Sequence, residues 1–271
     1  MTRVIAITGA SAGIGRATAL RLARDGGQLA ICARRADRLE AVAAEIAAAG
    51  GDALPLVADV TRPDDMQALV DRTIARYGRL DAMICNAGFG VYGAVDQVTP
   101  DQMRRLVDVN YHGTFNAAHA ALPVFRRQGR GHLLIVSSIV GKRGVPYMGA
   151  YAATKFAQVG LAECLRAEVA GSNIHVTLVF PVSTKTEFSG VMMSESGPIT
   201  RARGPRQPVT AVADAIAKAI ERPVPEVYPW AAARGLAVIN SLTPGLCDWL
   251  VRRWGRKPVA HAPDAVQRPG E

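Results

Sequence analysis

The sequence predicts an α/β fold: a doubly wound parallel sheet of about seven strands in a three-layer α/β/α sandwich, with a C-terminal helical extension. Two observations carry this. Continuous apolar runs of four to six residues alternate with amphipathic helical stretches as far as Phe180. Strands that read as unbroken apolar runs belong to parallel sheets covered on both faces. The linkers between them are helix-length, and crossovers between parallel strands are right-handed, so successive helices cover both faces.

The elements follow in order. Val4–Ile7 is the first strand, and Arg16–Asp25 is a helix stopped by Gly26-Gly27. Leu29–Ala33 is a second strand. Ala36–Ala49, rich in Ala, Glu and Leu, is a helix that ends at Gly50-Gly51. Ala53–Ala58 is a third strand, and Pro63 opens a helix to about Tyr77. Leu80–Cys85 is a fourth strand, followed by a loop from Gly88 to Gly93 and helical sequence from Pro100 to Gln128. His132–Ser137, helix Tyr151–Gly171 and Ile174–Phe180 complete the regular part. Breakers then cluster in residues 189–208, before helix Thr210–Arg222, a short strand at Val227-Tyr228 and helical sequence to about Arg256. The expected organisation is one domain over residues 1–257, with a lid at about 187–208, basic amphipathic helices at about 230–257 and a flexible tail at 258–271.

The chain has 271 residues, 49% hydrophobic and 20% charged, which excludes intrinsic disorder and permits a full core. Its formal charge is +9, and residues 201–257 alone carry a net +6. Such a balance raises nucleic acid, anionic membrane and phosphorylated ligands as partners. No helix-turn-helix, zinc finger or aromatic-plus-basic RNA motif is present, so nucleic acid is not expected. Cys32, Cys85, Cys164 and Cys247 have no metal-ligand spacing, and the first two sit in apolar runs as buried free thiols. His112, His119, His132, His175 and His261 form no ligand set either, and no metal is expected. No signal-peptide pattern precedes the first strand and no run of 18 apolar residues occurs, so the expectation is a cytoplasmic protein.

Ligands of doubly wound sheets bind beyond the carboxyl ends of the strands. There the first strand runs into Thr8-Gly9-Ala10-Ser11-Ala12-Gly13-Ile14-Gly15. Glycines let a backbone turn tightly against a pyrophosphate, and the following helix N-terminus offers unpaired N–H groups and a positive dipole end. Placed between the first strand and helix of such a sheet, the turn reads as dinucleotide-binding, with Gly9, Ser11, Gly13, Ile14 and Gly15 as cofactor-binding candidates; the alternative is a plain tight turn. At the end of the second strand, a site that prefers NAD(H) usually carries an acidic residue for the ribose 2′-hydroxyl. Here Ala33 is followed by Arg34 and Arg35. Guanidinium groups suit a 2′-phosphate, so the expected cofactor is NADP(H) rather than NAD(H). The alternative is that the two arginines are solvated loop charges.

Further motifs lie in register. Asn86-Ala87-Gly88 ends the fourth strand, Asn110 lies in the next helix, Ser138 ends the fifth strand, and Tyr151-Ala-Ala-Thr-Lys155 opens a helix 13 residues later. With the glycine turn, the chain resembles the classical short-chain dehydrogenase/reductase family over about residues 3–190. The resemblance implies a hydride exchange between a ketone or aldehyde and an alcohol. In it Tyr151 is the general acid/base, Lys155 bonds the nicotinamide ribose, Ser138 orients the carbonyl oxygen, and Asn110 positions a water that relays protons toward Lys155. Tyr151 and Lys155 share a helix face at i and i+4, so the ammonium should lower the phenol pKa. Further cofactor contacts carry over to Asp59 and Val60 after the third strand, to Asn86, Ala87 and Gly88, and to Pro181, Thr184 and Thr186 after the sixth. Val182 stands where the family usually has glycine. A non-catalytic dinucleotide-sensing module is the competing class; loss of Tyr151 or Lys155 would have favoured it.

The resemblance also places the substrate among three loops, which here carry Phe89, Val91 and Tyr92; Val140, Val145, Tyr147 and Met148; and Phe188, Val191, Met192 and Met193. That lining implies an apolar carbonyl or alcohol substrate, lipid-, steroid- or acyl-like. Residues 230–257 interleave tryptophans and aliphatics with arginines. They either lie against an anionic membrane surface or dock on the sheet or a second subunit. Family resemblance also implies a homodimer or homotetramer.

Overall fold

The computed structural model describes residues 2–188, 192 and 206–254. Most of the expected lid (about 187–208), Val191, Met193, Arg256, Lys257 and the tail at 258–271 lie outside the described residues.

Seven parallel strands form one sheet in the order β3-β2-β1-β4-β5-β6-β7. They are β1 Val4–Thr8, β2 Gln28–Ala33, β3 Asp52–Val57, β4 Ala82–Cys85, β5 Arg130–Val136, β6 Asn173–Val179 and β7 Glu226–Val227. The order reverses between β1, which pairs Ile7 with Ile31 of β2, and β4, where Ile7 meets Ile84. The helices are α1 Gly13–Arg24, α2 Ala36–Ala48, α3 Pro63–Tyr77, α4 Pro100–Leu106, α5 Gly113–Gln128, α6 Gly149–Glu168, α7 Val209–Glu221, α8 Ala232–Leu242 and α9 Pro244–Trp254.

Two apolar layers hold the sandwich. Ile5, Ile7, Leu29 and Ile31 pack with Leu22 of α1, Leu39, Val42 and Ile46 of α2, and Val212, Ile216 and Ile220 of α7. On the other face Ala6, Ala30 and Met83 pack with Met66 and Leu69 of α3, Phe125 of α5, and Val159 and Leu165 of α6. Cys32 and Cys85 are buried free thiols in the strands, and burial pushes the Cys32 thiol up to about 12.

Several boundaries differ from the sequence expectation, each for a local reason. β4 starts at Ala82 because the Gln128 side chain takes both Leu80 backbone groups, at 3.0 Å and 2.6 Å. α1 starts at Gly13, which puts Gly13 and Gly15 inside its first turn. α6 starts at Gly149 and so carries Tyr151 in its own first turn. The helical stretch from Pro100 to Gln128 contains a π-helical turn, Val107–His112, which re-aims the chain around Asn110.

Candidate active site

A cleft of about 1120 Å³ opens where the strand order reverses. Its floor is the carboxyl ends of β1, β2, β4 and β5. It is lined by Gly9, Ser11, Gly13, Ile14, Arg34, Arg35, Asp59, Val60, Asn86, Ala87, Gly88, Ser138, Tyr151, Lys155, Pro181, Thr184 and Thr186. All but two of the residues expected in catalysis or cofactor binding therefore face one space.

The exceptions are Gly15 and Asn110, which sit beneath it. A Cβ on Gly15 would lie 2.3 Å from the Gly9 carbonyl oxygen and 2.5 Å from Asn86 Nδ2. Gly15 shapes the turn from below rather than facing the cleft. Asn86 is the strut of the same turn: its Nδ2 donates to the carbonyls of Thr8 (3.0 Å) and Gly9 (3.2 Å).

The turn fits a pyrophosphate. Gly9 and Gly13 have positive φ, 67° and 54°, a backbone that β-carbon residues rarely adopt. Ala12 at the start of α1 makes no side-chain cap and no acidic residue occupies the first turn. The first N–H groups of α1 thus face the cleft without a competing carboxylate. Beside it Arg34 Nη1 lies 3.8 Å from Asp59, and Arg35 Nη2 donates to Ser11 Oγ at 3.2 Å. Asp59 is fixed in turn by Thr61, whose N–H and hydroxyl both donate to Asp59 Oδ1. The cap position of α3 is Arg62, without a side-chain bond.

At the other end of the cleft, Tyr151 and Lys155 are 6% and 3% exposed. Lys155 Nζ lies 5.6 Å from the Tyr151 ring centroid and donates to the Val136 carbonyl at 3.0 Å. Burial drives Lys155 down to about 7. It also drives the Tyr151 phenol upward, opposed by a hydrogen bond with Ser138. Helix spacing alone suggested a phenol lowered by its lysine; in this dry site desolvation outweighs that attraction for both groups. Just before α6, Tyr147 has φ 64° and its carbonyl accepts from Gly93 N–H at 3.0 Å, pinning the two loops of the apolar end together.

Asn110 is enclosed by protein groups. Its side chain is held by the Phe89 backbone, at 3.0 Å and 2.9 Å, and by Thr154 Oγ1 at 3.0 Å. Its carbonyl already accepts from Thr114 Oγ1 (2.8 Å) and Gln158 Nε2 (2.8 Å). Both lone pairs are thus engaged by protein groups. Thr184 is also committed: its hydroxyl donates to the Val182 carbonyl (2.8 Å) and accepts from Gln207 (3.2 Å). Val182 lines the cleft.

Phe89, Tyr92, Val140, Val145, Met148, Phe188 and Met192 line the apolar end, joined by Val251 of α9. Val91 is buried in the packing behind them. Tyr151 and Phe188 have ring centroids 5.7 Å apart.

Three residues escaped the sequence reading. Arg38, one turn after Arg34 and Arg35, pairs at 2.5 Å with Glu187, which lines the cleft. Gln158 lies one turn beyond Lys155 on the same face of α6; a polar residue in an apolar helical stripe was the available signal. Val251 enters the cleft because α8 and α9 dock there: Arg143 bonds Asn240 Oδ1 at 3.0 Å and Asp248 at 2.5 Å. Among the described residues no group of three His, Cys, Asp or Glu could hold a metal ion, and no helix is long and apolar enough to cross a membrane.

The sequence matches the short chain dehydrogenase family over residues 3–196, and the chain belongs to that family. Among its relatives is an uncharacterized oxidoreductase of Listeria monocytogenes, 40% identical over 188 residues (69% of this chain, 76% of that protein). Another is the bovine dehydrogenase/reductase SDR family member 7B, 32% identical over 267 residues (94% and 82%). Among solved structures, an alcohol dehydrogenase of Thermococcus sibiricus complexed with 5-hydroxy-NADP superposes with TM-score 0.76 at 29% identity (84% and 96% of the chains). A Burkholderia phymatum short chain dehydrogenase/reductase in complex with NAD shares the fold with TM-score 0.83 at 23% identity (96% and 97%). The protein is thus an oxidoreductase of the short-chain dehydrogenase family, with a Rossmann-like fold and an NAD(P)(H) site.

Proposed function

We propose that the protein is an NADP(H)-dependent carbonyl reductase or alcohol dehydrogenase acting on an apolar, lipid-, steroid- or acyl-like small molecule. One observation carries this reading: a buried tyrosine, bonded to Ser138 and stacked one turn from Lys155, meets an apolar chamber at one end of the cleft and an arginine-flanked phosphate turn at the other. In this reading Gly9, Ser11, Gly13 and Ile14 hold the pyrophosphate, and Arg34 and Arg35 hold a 2′-phosphate. Asp59 and Val60 flank the adenine, and Ala87, Gly88, Pro181 and Thr186 line the nicotinamide end. The reduced nicotinamide, when bound, supplies the hydride. Tyr151 donates its proton to the carbonyl oxygen, and Ser138 donates a hydrogen bond to the same oxygen. Burial keeps the phenol protonated at neutral pH, as a proton donor must be. Lys155 holds its charge below pH 7 and loses it as the pH rises through about 7. The test is NADPH consumption over a panel of apolar ketones and small polar sugars. Turnover of the apolar ketones is expected; preference for the sugars, or equal use of NADH, would overturn the reading.

We read residues 1–257 as one domain of a cytoplasmic homodimer or homotetramer. The second half of this reading concerns α8 and α9. Leu236, Ile239, Leu242, Leu246 and Trp249 are exposed beside Arg234, Arg252 and Arg253. Docked as these helices are against the mouth of the apolar chamber, this face suits an anionic membrane surface from which an apolar substrate would enter. Sedimentation with phosphatidylserine vesicles at low salt is expected to carry the protein down; no sedimentation would remove the membrane contact.

A further inference from the structure

We propose that Gln158 is the positioning residue for Lys155, an amide that fixes and solvates its ammonium from the back of the site. Gln158 is fully buried. Its Oε1 accepts from Lys155 Nζ at 3.1 Å. Its Nε2 donates to the Asn110 carbonyl at 2.8 Å and to Thr114 Oγ1 at 2.7 Å. Every hydrogen-bonding direction of the amide group but one is thus used, and the orientation of the amide is fixed by two acceptors that cannot themselves donate to it: a carbonyl, and a hydroxyl whose proton already goes to that carbonyl.

The consequence is chemical. A side-chain amide does not pass a proton along a hydrogen-bonded chain as water does, because its N–H and C=O ends do not exchange roles. Gln158 therefore holds Lys155 without taking its proton. Lys155 is held as a fixed dipole-solvated charge, with the Val136 carbonyl on one side and the Gln158 carbonyl on the other. A lysine this buried keeps a usable ammonium only if oriented oxygens replace its water, and two neutral oxygens supply this. The groups that face Nζ are Tyr151 on its own helix, the Val136 carbonyl from β5 and Gln158; burial alone accounts for the depressed lysine, with no carboxylate contributing. This inference rests on the proposed reduction reaction only for its kinetic arm.

The test is a heteronuclear NMR titration of the Lys155 side chain in the cofactor-free full chain, run on wild type, Gln158→Met and Gln158→Glu. Methionine preserves volume and removes the amide; glutamate keeps the acceptor and adds charge. We expect Gln158→Met to lower the Lys155 pKa by about one unit and Gln158→Glu to raise it by about one unit or more, the scale of a hydrogen bond to a charged group. Under NADPH-dependent reduction the pH profile should move in the same directions, with kcat falling about tenfold in Gln158→Met and KM nearly unchanged. If neither variant folds, Thr114→Val, which removes one anchor of the amide, should lower the Lys155 pKa by a smaller amount. A Lys155 titration unchanged in the folded variants, with only thermal stability reduced, would overturn the proposal. The titration needs no turnover, so it fails or succeeds separately from the reductase reading.

Discussion

The two ends of the cleft are built by opposite means. The phosphate end is made of backbone: glycines with positive φ, a bare helix N-terminus and the Asn86 strut. The substrate end is made of side chains: aromatics, valines and methionines carried on loops and closed by the late helix α9. Backbone sites tolerate almost no added atoms, because the neighbouring atoms are fixed by the sheet. Side-chain chambers can be repacked at modest cost. The same contrast divides the charge. Arg34 and Arg35 line the phosphate end, whereas Arg234, Arg252 and Arg253 are exposed on α8 and α9 at the other end.

This contrast can be broken most sharply at Gly15. Gly15→Ala places a Cβ against backbone at 2.3 Å, so the turn must shift. We expect NADPH affinity to fall at least ~100-fold and the thermal midpoint to drop, the cost of overpacking being about 1–3 kcal/mol. Cofactor fluorescence and thermal unfolding would read both. By contrast Met148→Leu, a volume-conserving change in the chamber, should alter substrate preference with stability kept within about 1.5 kcal/mol.

Next in size is the arginine rim. Arg34→Ala with Arg35→Ala should weaken NADPH binding about 10- to 100-fold and leave NADH binding within about twofold, the loss of charge-assisted bonds at an exposed site. Equal losses for both cofactors, measured by calorimetry, would mean that these arginines only shape the loop.

The smallest effect lies away from the cleft. His132 is buried, and its Nε2 meets Thr177 Oγ1 at 2.8 Å, while Thr177 gives its own proton to the Val224 carbonyl. Burial lowers its pKa to about 3. An unfolded histidine binds a proton below about 6.5 and the folded one does not. Stability is therefore retained above that pH and lost as the pH falls from about 6.5 toward 3. Urea midpoints should decline over that window, and His132→Gln should flatten the decline.

Much of this was legible in the sequence, for identifiable reasons. Unbroken apolar strands such as Leu29–Ala33 and double-glycine stops fixed the order of elements, since both signals are local. The glycine turn, Ser138, Tyr151 and Lys155 were legible because their chemistry demands particular residue types at short spacings. What was not legible depends on tertiary neighbours. Gln128 trims β4 from another element. Gln158 meets the Asn110 carbonyl only once the π-helical turn and α6 pack together. The upward push on Tyr151 comes from burial, which spacing does not reveal. Arg38 and Glu187 are 149 residues apart and meet only in the folded chain.

The central claim is that the Tyr151 hydroxyl is the proton donor at the junction of the two ends. The most direct measurement is kcat for NADPH-dependent reduction of the best apolar ketone by Tyr151→Phe, together with its NADPH Kd. The account predicts a loss of at least ~100-fold in kcat, the usual scale for a general acid, with the Kd within about twofold of wild type. Turnover retained by a folded Tyr151→Phe protein would contradict it.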